Sequence, residues 1–572
     1  MKKLLIYLKN YKKETVLAPL FKMLEACFEL IVPLVVATII DKGIKFNNTS
    51  VILTNCGVLV LLAVVGMVAA ISAQYFAAKA ATGFSTQLRY SLFEKINTFS
   101  FSEIDSIGTS TLITRLTNDV NQLQNGVNLV LRLFLRSPIV VVGAMIMAVA
   151  INFKAGLIFV LVIALLSVVI FIIMKVTVPM YKNVQQTLDG VTLSTRENLA
   201  GARVIRAFCE ENNEYNKFSD KNNLLAKLQR AVGRISALLN PLTYVIINLG
   251  IVFLVYYGAL KVDSGTLSQG MVVALYNYMG QILVELIKFA NLIVTVTKAF
   301  ASGTRVNAVF DMQNTLEFVE DNKKYDDCAV SFYDVSLNYK GAGEKSLSDI
   351  TFTADKGQII GVIGSTGSGK TSLVNLIAHF YDCTKGVVAV NGKNVKSYNE
   401  DDLRSKIGFV MQKSVLFNSP VRENIKWGNN DATDEQIDEA LRLAQIYDTI
   451  YQMQGLDTVI NQNGSNLSGG QKQRLSIARA LVGKPEILVF DDSSSALDFA
   501  TEKKLLQAIF SLDYNPTVFV VTQRCSSVLS ADKIIVLDNG CCVGIGNNQQ
   551  LLETNDVYKE IYYSQFEKEE IV

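Results

Sequence analysis

The chain has 572 residues, which is enough for two or more separately folded domains. Half of its residues are hydrophobic and only 19% are charged, a composition typical of a protein partly embedded in a membrane. The formal net charge of +2 is too small to indicate a nucleic-acid partner. The eight cysteines have no metal-ligand spacing, so we expect free thiols, most of them in a reducing cytoplasm.

The first 14 residues are predicted to form an amphipathic helix, because their apolar stretch is too short and too mixed for a cleaved signal peptide. The lysines of this helix would face anionic headgroups on the inner side of a membrane. A bilayer core about 30 Å thick then needs roughly 20 apolar residues in each spanning helix. Within a transmembrane domain over residues 15–305, the predicted spans are residues 16–40, 51–78, 128–153, 155–174, 235–260 and 271–300.

Six spans put both chain ends on one side of the membrane, and the lysine-rich start assigns that side to the cytoplasm. The two connections on this side, residues 79–127 and 175–234, are long and polar. No proline interrupts residues 79–136, which favours long helices that continue past the membrane.

Charged residues inside the predicted spans allow two interpretations. Glu25 and Glu29 share one face of the first span, and Glu285 and Lys288 lie three residues apart on the sixth. In the first interpretation these groups pair with each other or with Lys22, or lie near the membrane surface and stay hydrated. In the second, the carboxylates face a water-filled cavity and favour cationic amphipathic substrates.

A linker over residues 306–328 leads to a domain over residues 329–572, where short apolar strands alternate with helical stretches and glycine-rich turns. This alternation predicts an α/β domain with a mostly parallel core sheet. The predicted strands are residues 359–363, 407–411, 487–490 and 518–522. The predicted fold is therefore multi-domain, with a six-helix all-α transmembrane domain followed by an α/β nucleotide-binding domain.

This second domain contains a phosphate-loop motif. It reads Gly364-Ser365-Thr366-Gly367-Ser368-Gly369-Lys370-Thr371, followed by Ser372. A predicted strand precedes the motif and a predicted helix follows it, which is the context that the motif requires. The glycines let backbone N–H groups surround the phosphates of ATP, Lys370 adds a positive charge, and Thr371 offers a hydroxyl to Mg²⁺. Asp491, at the end of a buried strand, fits the second nucleotide motif, whose acid orients the Mg²⁺ shell.

A signature motif lies about a hundred residues after the phosphate loop and reads Leu467-Ser468-Gly469-Gly470-Gln471. With these motifs, residues 329–572 resemble the ATP-binding cassette of ABC transporters, and the whole chain resembles an exporter-type half-transporter. The resemblance implies that Tyr339 stacks on adenine, and that Gln412 reaches both Mg²⁺ and the membrane domain. It also implies that the loop carrying Asp498 crosses to a partner cassette. Residues 117–120 and 204–208 resemble the family's two cytoplasmic coupling regions.

Two positions depart from the family pattern. Asp492 stands where the family has a glutamate that polarises the attacking water, and Gln523 stands where it has a histidine that contacts the γ-phosphate. A general base must lie within hydrogen-bond reach of its water, and a displacement of about 1 Å can cost on the order of a hundredfold in rate. The two departures together predict a site that holds ATP and hydrolyses it slowly.

Cassettes of this family dimerise head to tail, with each ATP between one chain's phosphate loop and the other chain's signature motif. The intact signature at residues 467–471 would therefore complete a partner's site. We expect a heterodimer with a second half-transporter that keeps the glutamate and the histidine. The expected function is ATP-driven export of hydrophobic or amphipathic small molecules across a bacterial cytoplasmic membrane, with ATP and Mg²⁺ as cofactors. The alternatives are an importer with the exporter fold and an ATP-gated channel.

Overall fold

The computed structural model describes residues 3–321, 323–340, 343 and 345–566. The chain divides into two compact units, the first formed by Met1–Asn97 and Ser110–Met312, the second by Thr98–Thr109 and Gln313–Val572. Parts of three predicted segments lie outside the described residues: residues 1–2 of the amphipathic helix, residue 322 of the linker, and residues 341, 342, 344 and 567–572 of the cassette.

The first unit is helical, and its described part contains six helical stretches long and apolar enough to cross a membrane, which confirms the predicted count. These stretches have 41 to 53 residues. At a rise of 1.5 Å per residue they measure roughly 60 to 80 Å, about twice the thickness of a bilayer core. The predicted helical extensions beyond the membrane follow from this length.

Eleven α-helices lie within residues 12–311 of the described chain, and of these α3 belongs to the second unit. They are α1 (Lys12–Thr38), α2 (Thr49–Asn97), α3 (Phe101–Ile107), α4 (Thr109–Thr114), α5 (Val120–Leu133), α6 (Arg136–Ile151), α7 (Phe153–Ala200), α8 (Ala202–Ala207), α9 (Glu211–Ala237), α10 (Leu239–Asp263) and α11 (Gln269–Asp311). A 3₁₀ segment at Leu4–Tyr11 runs directly into α1, and π-helical turns at Ile39–Ile44 and Arg115–Asp119 continue their neighbouring helices.

The connection after α2 is broken, contrary to the uninterrupted helix that the lack of proline predicts. Ser100 starts α3 with a capping box, in which its side chain and that of Glu103 each bond the other residue's backbone N–H. Gly108 ends α3 in a backbone conformation with φ +80°, which glycine adopts at little cost. The capping box and the glycine therefore end the helices that a search for proline alone leaves continuous.

An ion-pair cluster joins α1, α6 and α11 inside the first unit. Its members are Lys22, Glu25, Glu29, Arg136, Glu285 and Lys288. Arg136, only 6% exposed, bonds the Glu285 carboxylate and lies 2.6 Å from that of Glu29. Lys288 lies 2.8 Å from Glu285, which is 2% exposed, and Lys22 lies 2.5 Å from Glu25. The carboxylates are paired with cations, as the first interpretation expects, while the Glu29 side chain is also 42% exposed, so its role toward a substrate stays a hypothesis.

The second unit is built on a ten-stranded sheet of described residues, in the order β5-β4-β1-β2-β12-β11-β3-β10-β9-β6. The strands are β1 (Val330–Leu337), β2 (Leu347–Ala354), β3 (Ile359–Gly364), β4 (Lys385–Val390), β5 (Lys393–Asn394), β6 (Ile407–Val410), β7 (Ser419–Pro420), β8 (Val459–Ile460), β9 (Ile487–Asp491), β10 (Thr517–Thr522), β11 (Lys533–Asp538) and β12 (Cys541–Gly546). Strands β7 and β8 pair separately.

The four strands predicted from sequence are β3, β6, β9 and β10, and they are adjacent and parallel in the sheet. Strands β1, β2, β4 and β5 pair antiparallel at the other end of the sheet. Around the sheet lie α12 (Lys370–Ile377), α13 (Glu400–Ser405), α14 (Val421–Lys426), α15 (Asp434–Leu443), α16 (Tyr447–Tyr451), α17 (Gly469–Leu481), α18 (Phe499–Phe510), α19 (Asn548–Thr554) and α20 (Asp556–Tyr563). The α/β class is thereby confirmed, and the carboxyl ends of the parallel strands form the edge at which a ligand site is expected.

Candidate nucleotide-binding site

The phosphate loop joins the end of β3 to the start of α12. Gly367 and Gly369 have φ angles of +83° and +97°, which residues with a side chain rarely adopt. A Cβ atom at Gly369 would also lie 2.7 Å from the backbone oxygen of Ser346. The loop therefore needs glycine at both positions for its conformation, and at Gly369 also for its close packing. The N-terminus of α12 faces the concavity that results.

Lys370 is the first residue of α12, and its side chain turns back into the loop. Its Nζ donates to the backbone oxygens of Gly364 and Ser365 at 2.8 and 2.7 Å. Burial lowers the pKa of this ammonium, while Asp492 and Asp491 oppose that shift. A buried cation bonded only to carbonyl groups is suited to exchange them for the charged oxygens of a phosphate.

Asp491 ends β9 directly beside the start of α12. Its carboxylate accepts a 3.0 Å hydrogen bond from the Thr371 hydroxyl. Burial, with the neighbouring charge of Asp492, raises the pKa of Asp491. A divalent cation would reverse that shift, and a hydroxyl beside a carboxylate supplies the oxygen ligands that Mg²⁺ prefers. Two of the three residues predicted to hold Mg²⁺, Thr371 and Asp491, are thus brought into contact, and the third, Gln412, lines the same cavity.

Asp492 and Gln523 lie on the same cavity as the phosphate loop. The Gln412 side chain donates to the Asp492 carboxylate at 3.4 Å, and the Thr366 hydroxyl donates to the side-chain oxygen of Gln523 at 3.4 Å. Asp492 has φ +45°, a left-handed conformation that costs energy for a residue with a side chain. Both departures from the family pattern therefore lie beside the phosphate loop.

The cavity has a volume of about 510 Å³. It is lined by Lys345, Ser346, Thr366, Gly367, Gly369, Lys370, Thr371, Ser372, Gln412, Asp491, Asp492, Gln523, Asn539 and Gly540. Lys345, Ser346, Asn539 and Gly540 were not predicted. Asn539-Gly540 is a hairpin turn between β11 and β12, and this dipeptide is a recognisable turn signal in the sequence. Nothing in the sequence indicates that this turn approaches the phosphate loop.

Tyr339 lies beside this cavity rather than on its lining. Its hydroxyl bonds the Ser372 hydroxyl at 3.0 Å, and its ring meets the Tyr381 ring edge-on at 5.0 Å between centroids. Three residues of the phosphate loop are also absent from the cavity lining, namely Gly364, Ser365 and Ser368. Tyr339 is half-buried, so one part of its ring remains accessible to a base extending from the phosphate site.

The signature segment lies at the start of α17, away from this cavity. Ser468 caps α17 in a capping box with Gln471, and Leu467 is buried. The Gln473 side chain then bonds the Ser495 hydroxyl at 3.2 Å and the Ala496 N–H at 3.0 Å. The signature helix and the loop before Asp498 are thereby fixed to each other.

Asp498 caps α18, where its carboxylate accepts from the Thr501 N–H at 2.9 Å. Its side chain is exposed. His379, the chain's single histidine, lies 2.9 Å from Asp382 and is 3% exposed, outside the residues lining the cavity. The contact of His379 with Asp382 is therefore a structural one, apart from the phosphate site.

Helix α3 packs on the cassette within the second unit. The rings of Phe101 and Phe380 are 4.6 Å apart, and the Tyr381 hydroxyl donates to Asp105 at 2.6 Å. Residues 117–120, predicted as the first coupling region, instead belong to the first unit, where Asp119 bonds Arg305. The coupling role of residues 117–120 stays a prediction, and within the second unit the segment that packs on the cassette is the capped helix α3.

Comparison with known proteins agrees with this architecture. Residues 15–286 match the family described as ABC transporter transmembrane region, and residues 347–495 match the family described as ABC transporter. The chain is 35% identical over 572 residues to the uncharacterized ABC transporter ATP-binding protein YfiB of Bacillus subtilis, covering 100% of this chain and 99% of that protein. It is 28% identical to the ATP-dependent lipid A-core flippase 1 of Colwellia psychrerythraea, covering 99% and 96% respectively. The solved structure of a bacterial Atm1-family ABC exporter with ATP bound has the same fold, with a TM-score of 0.81, 21% identity, and coverage of 97% of this chain and 98% of that one.

Proposed function

Because the chain belongs to the ABC transporter family, as an exporter-type half-transporter that couples ATP hydrolysis to transport, we propose that it supplies the degenerate site of a heterodimeric exporter. The observation that carries the proposal is the presence of Asp492 and Gln523 in one cavity with Lys370 and Thr371. The groups that bind phosphate are complete there. The groups that would activate water and contact the γ-phosphate are not those of the family pattern.

The chemistry of the two departures supports slow turnover. The carboxylate of aspartate is one methylene shorter than that of glutamate, and here it is already near the Gln412 amide. Gln523 can donate a hydrogen bond to a γ-phosphate but cannot carry a positive charge in the transition state. The site therefore retains the means to bind ATP and loses two contributions to hydrolysis.

Mg²⁺ is the second proposed cofactor. Thr371, Gln412 and Asp491 all line the cavity and offer a hydroxyl, an amide oxygen and a carboxylate. This set leaves room for the water and phosphate ligands that Mg²⁺ usually keeps. When bound, the ion would neutralise phosphate charge, and Thr371 and Asp491 would hold it beside the loop.

The proposed partner is a second half-transporter with the glutamate and the histidine in place. The signature segment at residues 467–471 is complete and lies outside this chain's own cavity, as a motif serving the partner's ATP must. Two apolar side chains are exposed between α7 and α9. They are Val204 on α8, which is 60% exposed, and Phe208 directly after α8, which is 75% exposed. Apolar side chains at a cytoplasmic loop are suited to contact a second chain, which supports the second predicted coupling region.

The proposed substrates are hydrophobic or amphipathic small molecules, lipids included. The relative from Colwellia is named a lipid A-core flippase, which supports an amphipathic substrate class. The proposed location is a bacterial cytoplasmic membrane with both termini in the cytoplasm, supported by the lysine-rich start and the bacterial relatives. ATP-dependent accumulation in inside-out vesicles would support export. ATP-dependent depletion of these vesicles below the external concentration would indicate an importer, and ATP-dependent equilibration alone would indicate a channel.

The purified chain, reconstituted alone in lipid nanodiscs, tests the degenerate site. We expect ATP to raise its melting temperature while phosphate release stays near background. Lys370→Ala should remove the thermal shift, because the variant loses the buried cation at the phosphate site. Rapid, vanadate-sensitive hydrolysis by a verified homodimer would contradict the proposal, since both of its sites would then be competent despite Asp492 and Gln523.

A further inference from the structure

The loop that carries Gln523 is held by a residue near the end of the described chain. The side-chain Nε2 of Gln565 donates to the backbone oxygen of Gln523 at 2.8 Å. The backbone N–H of Cys525 donates to Oε1 of the same side chain at 2.8 Å. One amide thus bonds the backbone on both sides of Arg524, in the way a neighbouring β-strand would.

The geometry fixes the orientation of this amide. With the Gln565 amide turned over, its N–H₂ would face the Cys525 N–H and its oxygen would face the Gln523 carbonyl, so both hydrogen bonds would be lost. Cys525 is fully buried, and water has poor access to its side of the loop. The pairing is therefore specific to a side chain of this length with both a donor and an acceptor.

The same loop is held on its other side through Arg524. Its guanidinium lies 2.8 Å from the carboxylate of Glu502 on α18, which is only 3% exposed. Glu502 also accepts from the hydroxyls of Ser494 and Ser527, each at 2.6 Å. The loop after β10 is consequently fixed from two sides, by the Gln565 amide and by the Arg524–Glu502 ion pair. The direction of the Gln523 side chain toward the phosphate loop depends on both contacts.

We propose that Gln565 is a positioning residue that sets the distance from the side chain at position 523 to the γ-phosphate of ATP bound at this chain's phosphate loop. The proposal rests on the nucleotide site assigned above. It implies that the residues directly after α20 contribute to nucleotide recognition. We call the two hydrogen bonds from the Gln565 amide to the backbone of Gln523 and Cys525 the clamp. ADP lacks the group that position 523 would contact. Loss of the clamp should therefore weaken the binding of a triphosphate and leave the binding of a diphosphate unchanged.

The test measures the affinity of the full chain in nanodiscs for Mg²⁺–ATPγS and for Mg²⁺–ADP. We expect Gln523→Ala and Gln565→Ala each to lower the preference for the triphosphate by about tenfold, the equivalent of one hydrogen bond to a charged group. The double variant should be no worse than either single one, because both changes remove the same contact. Gln565→Glu keeps the acceptor for Cys525 but sets a carboxylate oxygen against the Gln523 carbonyl, so it should lower the preference at least as much as Gln565→Ala, and it covers the case in which the alanine variant does not fold.

Gln550→Ala is the matched control. Gln550 also bonds a backbone N–H through its side-chain oxygen, that of Asn547 at 3.1 Å, but it caps α19 and does not touch the loop. We expect it to leave both affinities unchanged. Two results would overturn the role of Gln565. In the first, Gln565→Ala lowers the affinities for both nucleotides equally. In the second, Gln565→Ala leaves the triphosphate preference unchanged although Gln523→Ala lowers it. No effect of Gln523→Ala would instead overturn the assignment of position 523 to the γ-phosphate, and the role of Gln565 with it.

Discussion

The Tyr381 hydroxyl donates a 2.6 Å hydrogen bond to the carboxylate of Asp105, a residue 276 positions earlier in the chain. The ring of Tyr381 also meets Tyr339 edge-on, and the Tyr339 hydroxyl bonds Ser372 at the start of α12. A short helix made early in the chain is thus connected through two tyrosines to the helix that follows the phosphate loop.

Tyr381→Phe is expected to loosen α3. Hydrogen bonds to charged acceptors contribute about 1.5–3 kcal/mol, and partial exposure places this one at the lower end. A loss of about 1.5 kcal/mol should speed amide exchange at residues 101–107 roughly tenfold. Tyr333→Phe is the control, because that hydroxyl bonds Asp326 at 2.8 Å, away from α3. Unchanged exchange in both variants would show that Asp105 does not need this donor.

Restoring Asp492→Glu together with Gln523→His should raise hydrolysis at this chain's site when the partner is present. Each single change should do less, because water activation and γ-phosphate contact act as a unit. The measurement is phosphate release from a heterodimer whose partner has its own catalytic glutamate replaced, so that only this site can turn over. A double variant no faster than the natural chain would place the defect elsewhere in the site.

Ser468→Arg or Gly469→Asp should abolish transport by the heterodimer. Either change introduces a charged side chain where the signature segment would meet the partner's ATP, and Ser468 also caps α17. Ser511→Arg, at an exposed position after α18, serves as the control and should transport normally. Full transport by the signature variants would reverse the assignment of the competent site to the partner's phosphate loop.

Arg136→Gln should destabilise the transmembrane unit. The change leaves Glu285 and Glu29 without their shared cation, and breaking a buried ion pair costs about 3–5 kcal/mol. The expected result is a marked fall in the midpoint of unfolding in detergent. Lys298→Gln, an exposed lysine on α11, should leave that midpoint unchanged. A stable Arg136→Gln protein would mean that water or lipid headgroups compensate the carboxylates.

Glu29→Gln and Glu285→Gln should reduce the transport of a lipophilic cation and of a neutral dye of similar size by the same factor. Both carboxylates are already paired with Arg136, so their charge is not free to select a cation. Comparative uptake into inside-out vesicles is the measurement. A loss confined to the cation would show that the ion pair opens during transport and would support the interpretation of these acids as substrate contacts.

Much of the nucleotide site could be predicted because its determinants are local in sequence. The phosphate loop and the four parallel strands are each recognisable from a few consecutive residues, and the sheet brings their ends together. Asp491 and Thr371 are 120 residues apart, yet each belongs to a motif that defines its place. Asn539-Gly540 lacked such a motif, so its approach to the loop could be found only from the folded sheet.

The pairings between distant side chains could not be predicted. Arg136 and Glu285 are 149 residues apart, and helical periodicity says which residues share a face but not which face a neighbouring helix presents. The break at α3 was missed for a different reason. Its signals, the Ser100–Glu103 capping box and Gly108, are present in the sequence, but a search for proline alone does not find them.

The contact between α3 and Tyr381 has a consequence for biosynthesis. At about 5–20 residues per second, the ribosome needs roughly 14–55 s to reach Tyr381 after it has made Asp105, given the 276 residues between them. During that interval Phe101 has no aromatic partner from the cassette, because Phe380 has not yet been made. The nascent chain must therefore keep the Phe101 side of α3 accessible until the cassette residues that cover it have been made.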